Sequence, residues 1–140
     1  MKTDKWLDVC FGFQEGFGKV KLNRKYNYIG KDGKLLSPTW FVYCYDFREG
    51  FGVVELNKKL NHIDNKGNFL SSTWFDYCYE FHEGFAAVKL NRKYNFIGKD
   101  GKLLSDAWLD WCGNFHEGFA EVEDNGRTYF IDKEGGLHEH

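Results

Sequence analysis

The sequence predicts an all-β protein of four tandem 34-residue repeats, and three observations predict it. First, anchor residues recur at one fixed spacing: Trp6, Trp40, Trp74 and Trp108, then Cys10, Cys44, Cys78 and Cys112, then the phrase F-x-E-G-F starting at Phe13, Phe47, Phe81 and Phe115. Second, apolar residues within a repeat alternate with polar ones, which is the two-residue period of a strand and not the three-and-four spacing of a helix. Third, turn dipeptides punctuate the alternation: Asn125-Gly126 and Asp100-Gly101 read as two-residue hairpins. A helical-hairpin repeat of the same length fails on the second and third counts.

The repeats run over about 6–39, 40–73, 74–107 and 108–140, forming one repeat domain over 1–140. The string KLNRKYN stands at 21–27 and again at 89–95 because a whole unit was duplicated. With repeat three as template, strands are expected over 74–80, 85–90, 93–98 and 102–105. In the first, Phe75, Tyr77, Tyr79 and Phe81 are expected on one side and Trp74, Asp76, Cys78 and Glu80 on the other. In the second, Ala86, Val88 and Leu90 share a face. The second turn residue is Arg24, Lys58 or Arg92 in repeats one to three, so those hairpins must form without glycine. Lys21, Glu55, Lys89 and Glu123 occupy one repeat position with alternating sign. If equivalent strands are neighbours, opposite charges face each other, in exposed pairs worth only about 0–1 kcal/mol; drift after duplication of a two-repeat unit gives the same pattern.

One such unit cannot bury its own apolar face, so neighbours must cover it. The expected architecture is an elongated, solenoid-like stack of β-hairpin or meander repeats. The alternative is a closed four-bladed, propeller-like ring in which the N-terminal segment KWLDVC completes repeat four.

The phrase F-x-E-G-F-A-x-V, followed by a turn and Y-N-F-I-G-K-D-G-K-L-L-S, resembles the WG repeat family of bacteria, whose usual phrases are F-x-E-G-L-A-x-V and K-Y-G-F-I-D-x-x-G-K. The match extends over all four repeats, from about Trp6 to Leu137. One departure stands out: the family's aromatic-Gly pair is replaced at Tyr26-Asn27, Leu60-Asn61 and Tyr94-Asn95. Asparagine tolerates positive φ, which would preserve a turn there. The resemblance implies a β-repeat binding or scaffolding module and supplies no catalytic residues. The chain is also distantly similar to the β-hairpin repeats of cell-wall-binding proteins.

A formal net charge of −2 disfavours nucleic acid and anionic membrane as partners, since both attract basic domains. No apolar run approaches the roughly 20 residues of a spanning helix, so no membrane insertion is expected. The start MKTDKWLDVC has no apolar signal core, which makes the cytoplasm the simplest location and leaves a removed leader open.

The four cysteines hold one repeat position and lack the paired spacing of a zinc site, so they are expected as reduced, buried small hydrophobes. Glu15, Glu49, Glu83 and Glu117, each before a glycine (Gly16, Gly50, Gly84 and Gly118), are expected to serve turn structure, with the carboxylate accepting backbone N–H bonds. His82 and His116 lack H-E-x-x-H spacing and read as turn residues; His138 and His140 form a tail that can bind metal adventitiously. No nucleophile elbow, phosphate loop or Cys–His constellation is present, so no catalytic residue, metal or cofactor is expected. Two surfaces remain. The basic turns hold Lys58, Lys59, Arg92 and Lys93. The aromatic stripe holds Tyr43, Tyr45, Tyr77, Tyr79 and Trp111, more than a thin β core needs. The expected function is a non-catalytic binding or scaffold module whose partner is another protein. The alternatives are a glycan or cell-envelope ligand in aromatic grooves, and an acidic or nucleic-acid partner on the basic turns. The oligomeric state is left open.

Overall fold

The computed structural model describes the backbone of residues 9–139 and the side chains of residues 11–139. Of the segment KWLDVC expected to complete repeat four, only the Val9 and Cys10 backbone is described, and it pairs with Lys21 and Val20 of the same repeat; the rest of that segment, the first Trp and Cys side chains and His140 lie outside the described residues. The chain divides into two compact units, Met1–Trp74 and Phe75–His140. The first unit holds β1 (Val9–Gln14), β2 (Phe17–Leu22) and β3 (Lys25–Gly30) in one antiparallel sheet, and β4 (Tyr43–Cys44), β5 (Phe51–Leu56) and β6 (Lys59–Asp64) in a second. The second unit holds β7 (Tyr77–Cys78), β8 (Phe85–Leu90) and β9 (Lys93–Gly98) in one sheet. Its other sheet holds β10 (Trp111–Cys112), β11 (Phe119–Asp124), β12 (Arg127–Asp132) and β13 (Leu137–Glu139). The protein is all-β, built of repeated antiparallel meanders, with no helix among the described residues and no sheet closed into a barrel.

The central hairpin of each repeat follows the sequence closely, as at β8 and β9. Its turn has both central residues at positive φ: Asn23, Asn57 and Asn91 at 51, 53 and 51°, then Arg24, Lys58 and Arg92 at 66, 64 and 68°. This is the type I′ geometry whose twist matches the flanking strands. Only repeat four meets it with the favoured glycine, Gly126 at 77°. The E-G turn is a second hairpin of the same type: Glu49 at 51° and Gly50 at 89° lie between Arg48 and Phe51, which exchange hydrogen bonds of 2.8 and 3.1 Å.

Five expectations are corrected. The strand expected over 74–80 shrinks to β7, and its two-residue alternation fails. Phe75, Cys78 and Phe81 are buried, whereas Tyr77 and Tyr79 are over one-third exposed, so burial recurs every third residue. The same period holds for Phe41, Cys44 and Phe47, and for Leu109, Cys112 and Phe115. With only two residues in a ladder, the backbone bends and no longer presents alternate faces. These triads form the core: Phe41, Cys44 and Phe47 join Tyr28 of β3 and Val54 and Ile63 of β5 and β6, while Leu109, Cys112 and Phe115 join Ala87, Phe96, Ala120, Val122 and Ile131. The opening segment of one repeat thus packs against the sheet before it, pinned by paired Tyr26–Phe41 or Tyr94–Leu109 backbone bonds of 2.7–2.8 Å.

The strand expected over 102–105 is reduced to a single Ile97–Leu103 bridge. Asn95, fully buried in β9, is the cause. Its amide donates to the Ser105 carbonyl at 2.8 Å, and its Oδ1 accepts from the Ser105 N–H at 3.2 Å and the Phe96 N–H at 2.8 Å. A side chain therefore takes the bonds a fourth strand would make. Asn27 and Asn61 hold Ser37 and Ser71 in the same way. Repeat four has Tyr129 at that position, and there Tyr129 pairs with Glu139 by backbone and β13 forms. This also corrects the role expected of the aromatic-Asn pairs, since none of these asparagines has positive φ.

Asp100-Gly101 is not a two-residue hairpin. Gly98 and Lys102 close a three-residue loop in which only Gly101 has positive φ, at 82°, and the Asp100 carboxylate accepts the Lys102 N–H at 2.9 Å. This is a type I turn followed by a left-handed glycine.

Finally, the alternating charges do not pair. Lys21 lies over the Tyr26 ring at 5.5 Å and Lys89 over Tyr94 at 5.4 Å, and no ion pair joins Lys21 to Glu55 or Lys89 to Glu123 among the described residues. The next repeat's opening segment, packed on β3 and β9, separates equivalent strands.

Candidate functional site

The second unit brings several of the proposed binding residues together. Register places Tyr77 of β7 opposite Lys89 of β8, and the Asp76 and Tyr79 N–H groups continue the pairing with the Lys89 and Ala87 carbonyls at 2.8 and 2.9 Å. The Tyr77 and Tyr79 rings meet edge to face with centroids 4.8 Å apart. Tyr94 hydrogen-bonds Tyr79; partial burial first, then Tyr94, raises the Tyr79 hydroxyl above its ordinary pKa. Asp76 accepts the Asn91 N–H at 2.9 Å and so holds the turn that carries Arg92. Asp76, Tyr77, Tyr79, Lys89 and Arg92 line an open groove of about 480 Å³. Two aromatic faces, two cations and one carboxylate can hold an extended acidic segment or a polar ring.

The first unit repeats the aromatic pair with different charges. Tyr43 and Tyr45 stand 4.8 Å apart, and Tyr26 adds a third ring 4.7 Å from Tyr43. Lys19 lies 5.4 Å above both Phe11 and Tyr43 and 3.3 Å from Asp46. Burial pulls the Lys19 ammonium down, but Asp46 outweighs it and the net shift is upward. Here the rings are only partly exposed and the cation is engaged. Trp111 is exposed and lies over Gly113, where an added Cβ would sit 3.1 Å from the indole. Gly113 replaces the second tyrosine of repeats two and three, so repeat four offers one ring.

The basic turns separate into different roles. Lys58 is exposed at a turn tip, and Lys59 opens β6 partly buried. Lys93 donates to Asp110, which raises the lysine and lowers the carboxyl. The second Asp110 oxygen accepts the Asn125 N–H at 2.9 Å. Lys93 therefore serves an ion pair, and Arg92 alone of that turn lines the groove.

The Glu-Gly series does structural work across repeats. Glu15 accepts the Glu49 and Gly50 N–H groups, both at 2.8 Å, and Glu83 accepts those of Glu117 and Gly118 at 2.6 and 2.9 Å. The Gly118 bond is the main reason the Glu83 carboxyl lies below its ordinary pKa. Cys44, Cys78 and Cys112 are buried thiols, and burial pushes Cys112 up to about 12. His116 is exposed beside Glu117 at 3.7 Å, and His82 lies 3.6 Å from Glu80. No cluster of His, Cys, Asp and Glu able to hold a metal occurs among the described residues.

Sequence reasoning missed Asp76, Lys89 and Tyr94. Lys89 was open to discovery, because aligning the Tyr77 strand antiparallel to the next one puts the lysine opposite it.

The WG containing repeat family model matches residues 28–59, 63–94 and 96–127. The chain belongs to the WG containing repeat family. Membership and fold suggest a non-catalytic repeat module. Among solved structures the chain is similar to "KlHsv2 with loop 6CD replaced by a Gly-Ser linker", at 9% identity and a TM-score of 0.55, over 94% of this chain and 51% of that one. That likeness speaks to fold alone, and the WG repeats span about half of that chain's length. A protein of unknown function from Bacteroides caccae aligns at 14% identity and a TM-score of 0.40, over 96% of this chain and 60% of that one. Comparison with curated proteins gives no match.

Proposed function

We propose that the chain is a non-catalytic binding module that recognises an acidic segment of another protein in the groove of repeat three. The observation that carries this reading is the convergence of Tyr77, Tyr79, Lys89 and Arg92 around one open groove. Tyrosines offer large, rigid contact area at low entropic cost and are enriched among residues that dominate binding. An arginine fork matches a carboxylate with two hydrogen bonds. Asp76 on the rim orients the ligand by repelling a misplaced carboxylate. Family membership and fold support a module of this kind without naming its partner.

A displayed peptide library panned against the purified chain tests it. The expected enrichment is acidic peptides whose affinity falls about tenfold or more in Tyr77→Ala/Tyr79→Ala. Arg92→Glu is expected to weaken binding as well, and added salt to mimic that charge reversal. Enriched peptides that bind both variants as tightly as the parent chain would place the site elsewhere. Binding to a glycan array with no peptide enrichment would move the reading to sugars.

A further inference from the structure

A second surface is defined by what the repeats do to one another. Within each unit the F-x-E-G-F turn of the later repeat plugs into the earlier one. Phe47 sits against Phe17 and Tyr28, with centroids 4.6 and 4.8 Å away, while Glu15 grips the Glu49 and Gly50 N–H groups. Phe115 sits against Phe85 and Phe96 at 5.0 and 4.9 Å, while Glu83 grips Glu117 and Gly118. The two plugs are buried, with Phe47 5% and Phe115 3% exposed.

Repeat four carries the same seat. Phe119 stands where Phe17 and Phe85 stand, Phe130 where Tyr28 and Phe96 stand, and Glu117 where Glu15 and Glu83 stand. The sequence holds four such plugs, each 34 residues after the one before. Around this seat is an open cavity of about 420 Å³, lined by His116, Glu117, Phe119, Phe130 and His138. Phe119 is 43% exposed, and the Glu117 side chain is 85% exposed. Repeat one carries the matching plug. Phe13 is 43% exposed, and its turn repeats the buried ones: Glu15 at 51° and Gly16 at 88°, against 51 and 89° in the next repeat. Its local packing repeats as well, since a Cβ on Gly18 would lie 3.2 Å from Phe13 Cε1 and one on Gly52 would lie 3.1 Å from Phe47 Cε1.

We propose that copies of this chain associate head to tail, with Phe13 of one copy seated against Phe119 and Phe130 of another. The Glu117 carboxylate then accepts the incoming Glu15 and Gly16 N–H groups, as Glu15 and Glu83 do within the chain. The occupant is a second copy because the exposed plug and the exposed seat are the two halves of a contact this chain already makes internally. The two surfaces differ, so the interface is heterologous, and association continues into open chains or closes as a ring of copies. One ring and two hydrogen bonds are less than a standard stable interface, so association is weak and concentration-driven.

Sedimentation velocity on the full chain, from micromolar to millimolar concentration, reads this out. The weight-average mass is expected to rise with concentration. Phe13→Asp and Phe119→Asp, each checked by circular dichroism, are expected to sediment as single chains. Mixing them restores one good plug and one good seat, so the mixture is expected to form dimers and nothing larger. Glu117→Lys, at a highly exposed position, keeps the test intact if an aspartate variant misfolds, and it too is expected to sediment as a single chain. A parent chain that stays monomeric throughout overturns the proposal. So does assembly that survives Phe13→Asp or Glu117→Lys, or a mixture of the two aspartate variants that remains monomeric.

Discussion

Replacing Gly52 with alanine tests how tightly neighbouring repeats constrain each other. An added Cβ would lie 2.7 Å from Tyr28 Cζ and closer still to the hydroxyl, with Phe47 Cε1 at 3.1 Å. Tyr28 is fully buried and its hydroxyl donates to the Tyr45 carbonyl, with the Val53 carbonyl 3.3 Å away, so it has little room to yield. Overpacking of this kind costs about 1–3 kcal/mol. Displacing the hydroxyl from a buried acceptor adds about 1 kcal/mol. Gly52 does not have positive φ, so the alanine recovers about 0.4–1 kcal/mol through the unfolded state. The net expectation for Gly52→Ala is a loss of about 2–3 kcal/mol, and for Tyr28→Phe a loss of about 1 kcal/mol from the hydrogen bond. The double variant reproduces the Phe96–Ala120 pair that packs in the core of the second unit. It should therefore lose far less than the sum, giving a coupling of about 2 kcal/mol for residues in direct contact. Urea unfolding followed by tryptophan fluorescence and circular dichroism measures all four chains. Additive losses would refute the claim that the tyrosine hydroxyl and the glycine are matched across repeats.

Asn95→Ala removes the side-chain amide that stands in for a strand pairing and leaves the partly buried Ser105 carbonyl without it, so it should cost about 1–3 kcal/mol in the same urea assay; a loss below about 0.5 kcal/mol would contradict the staple, being no more than an ordinary surface change. The buried thiols predict an alkaline limb. Their folded pKa values lie above the ordinary 9.0, so unfolding releases protons above that pH. Stability should be full below about pH 8.5 and fall as pH rises, by at most about 1.4 kcal/mol per pH unit per thiol, and a thiol reagent should react at the rate of unfolding. Glu83, Asp110 and Asp132 have folded pKa values below the ordinary range, so their contribution is present above their unfolded values of 4.5, 3.8 and 3.8 and is lost as pH falls through the folded ones. An acid titration of the urea midpoint that stays flat below pH 4 would contradict those hydrogen bonds.

Much of the fold could be read from residue spacing, because repetition averages out local ambiguity. The 34-residue step and the β8–β9 hairpin follow from anchors and turns that appear repeatedly. What escaped depends on partners that periodicity does not name. WFDYCYEF alternates on paper, yet tertiary packing buries Phe75, Cys78 and Phe81, because only Tyr77 and Cys78 are held in a ladder. Glu15 was placed at a turn, but spacing does not say that it grips the next repeat's turn, residues 34 and 35 farther on, and not its own. The Asn95 amide looks like a turn residue until its acceptor, Ser105, is seen ten residues away. The groove was half visible: Tyr77, Tyr79 and Arg92 stood out as an aromatic pair and a basic tip, whereas Asp76 and Lys89 join them only through antiparallel register. The Tyr28–Gly52 match was open to a closer reading, since the pair recurs as Phe96–Ala120 at the same 24-residue separation.

The most direct test of the functional account is a heteronuclear NMR titration of the labelled chain with an acidic peptide selected on it. The account predicts that the largest, saturable shifts fall on the backbone amides of Asp76, Tyr77, Tyr79, Lys89 and Arg92, and that they vanish in Tyr77→Ala/Tyr79→Ala while the rest of the spectrum is unchanged. Saturable shifts confined to other strands, or retained in that variant, would contradict it.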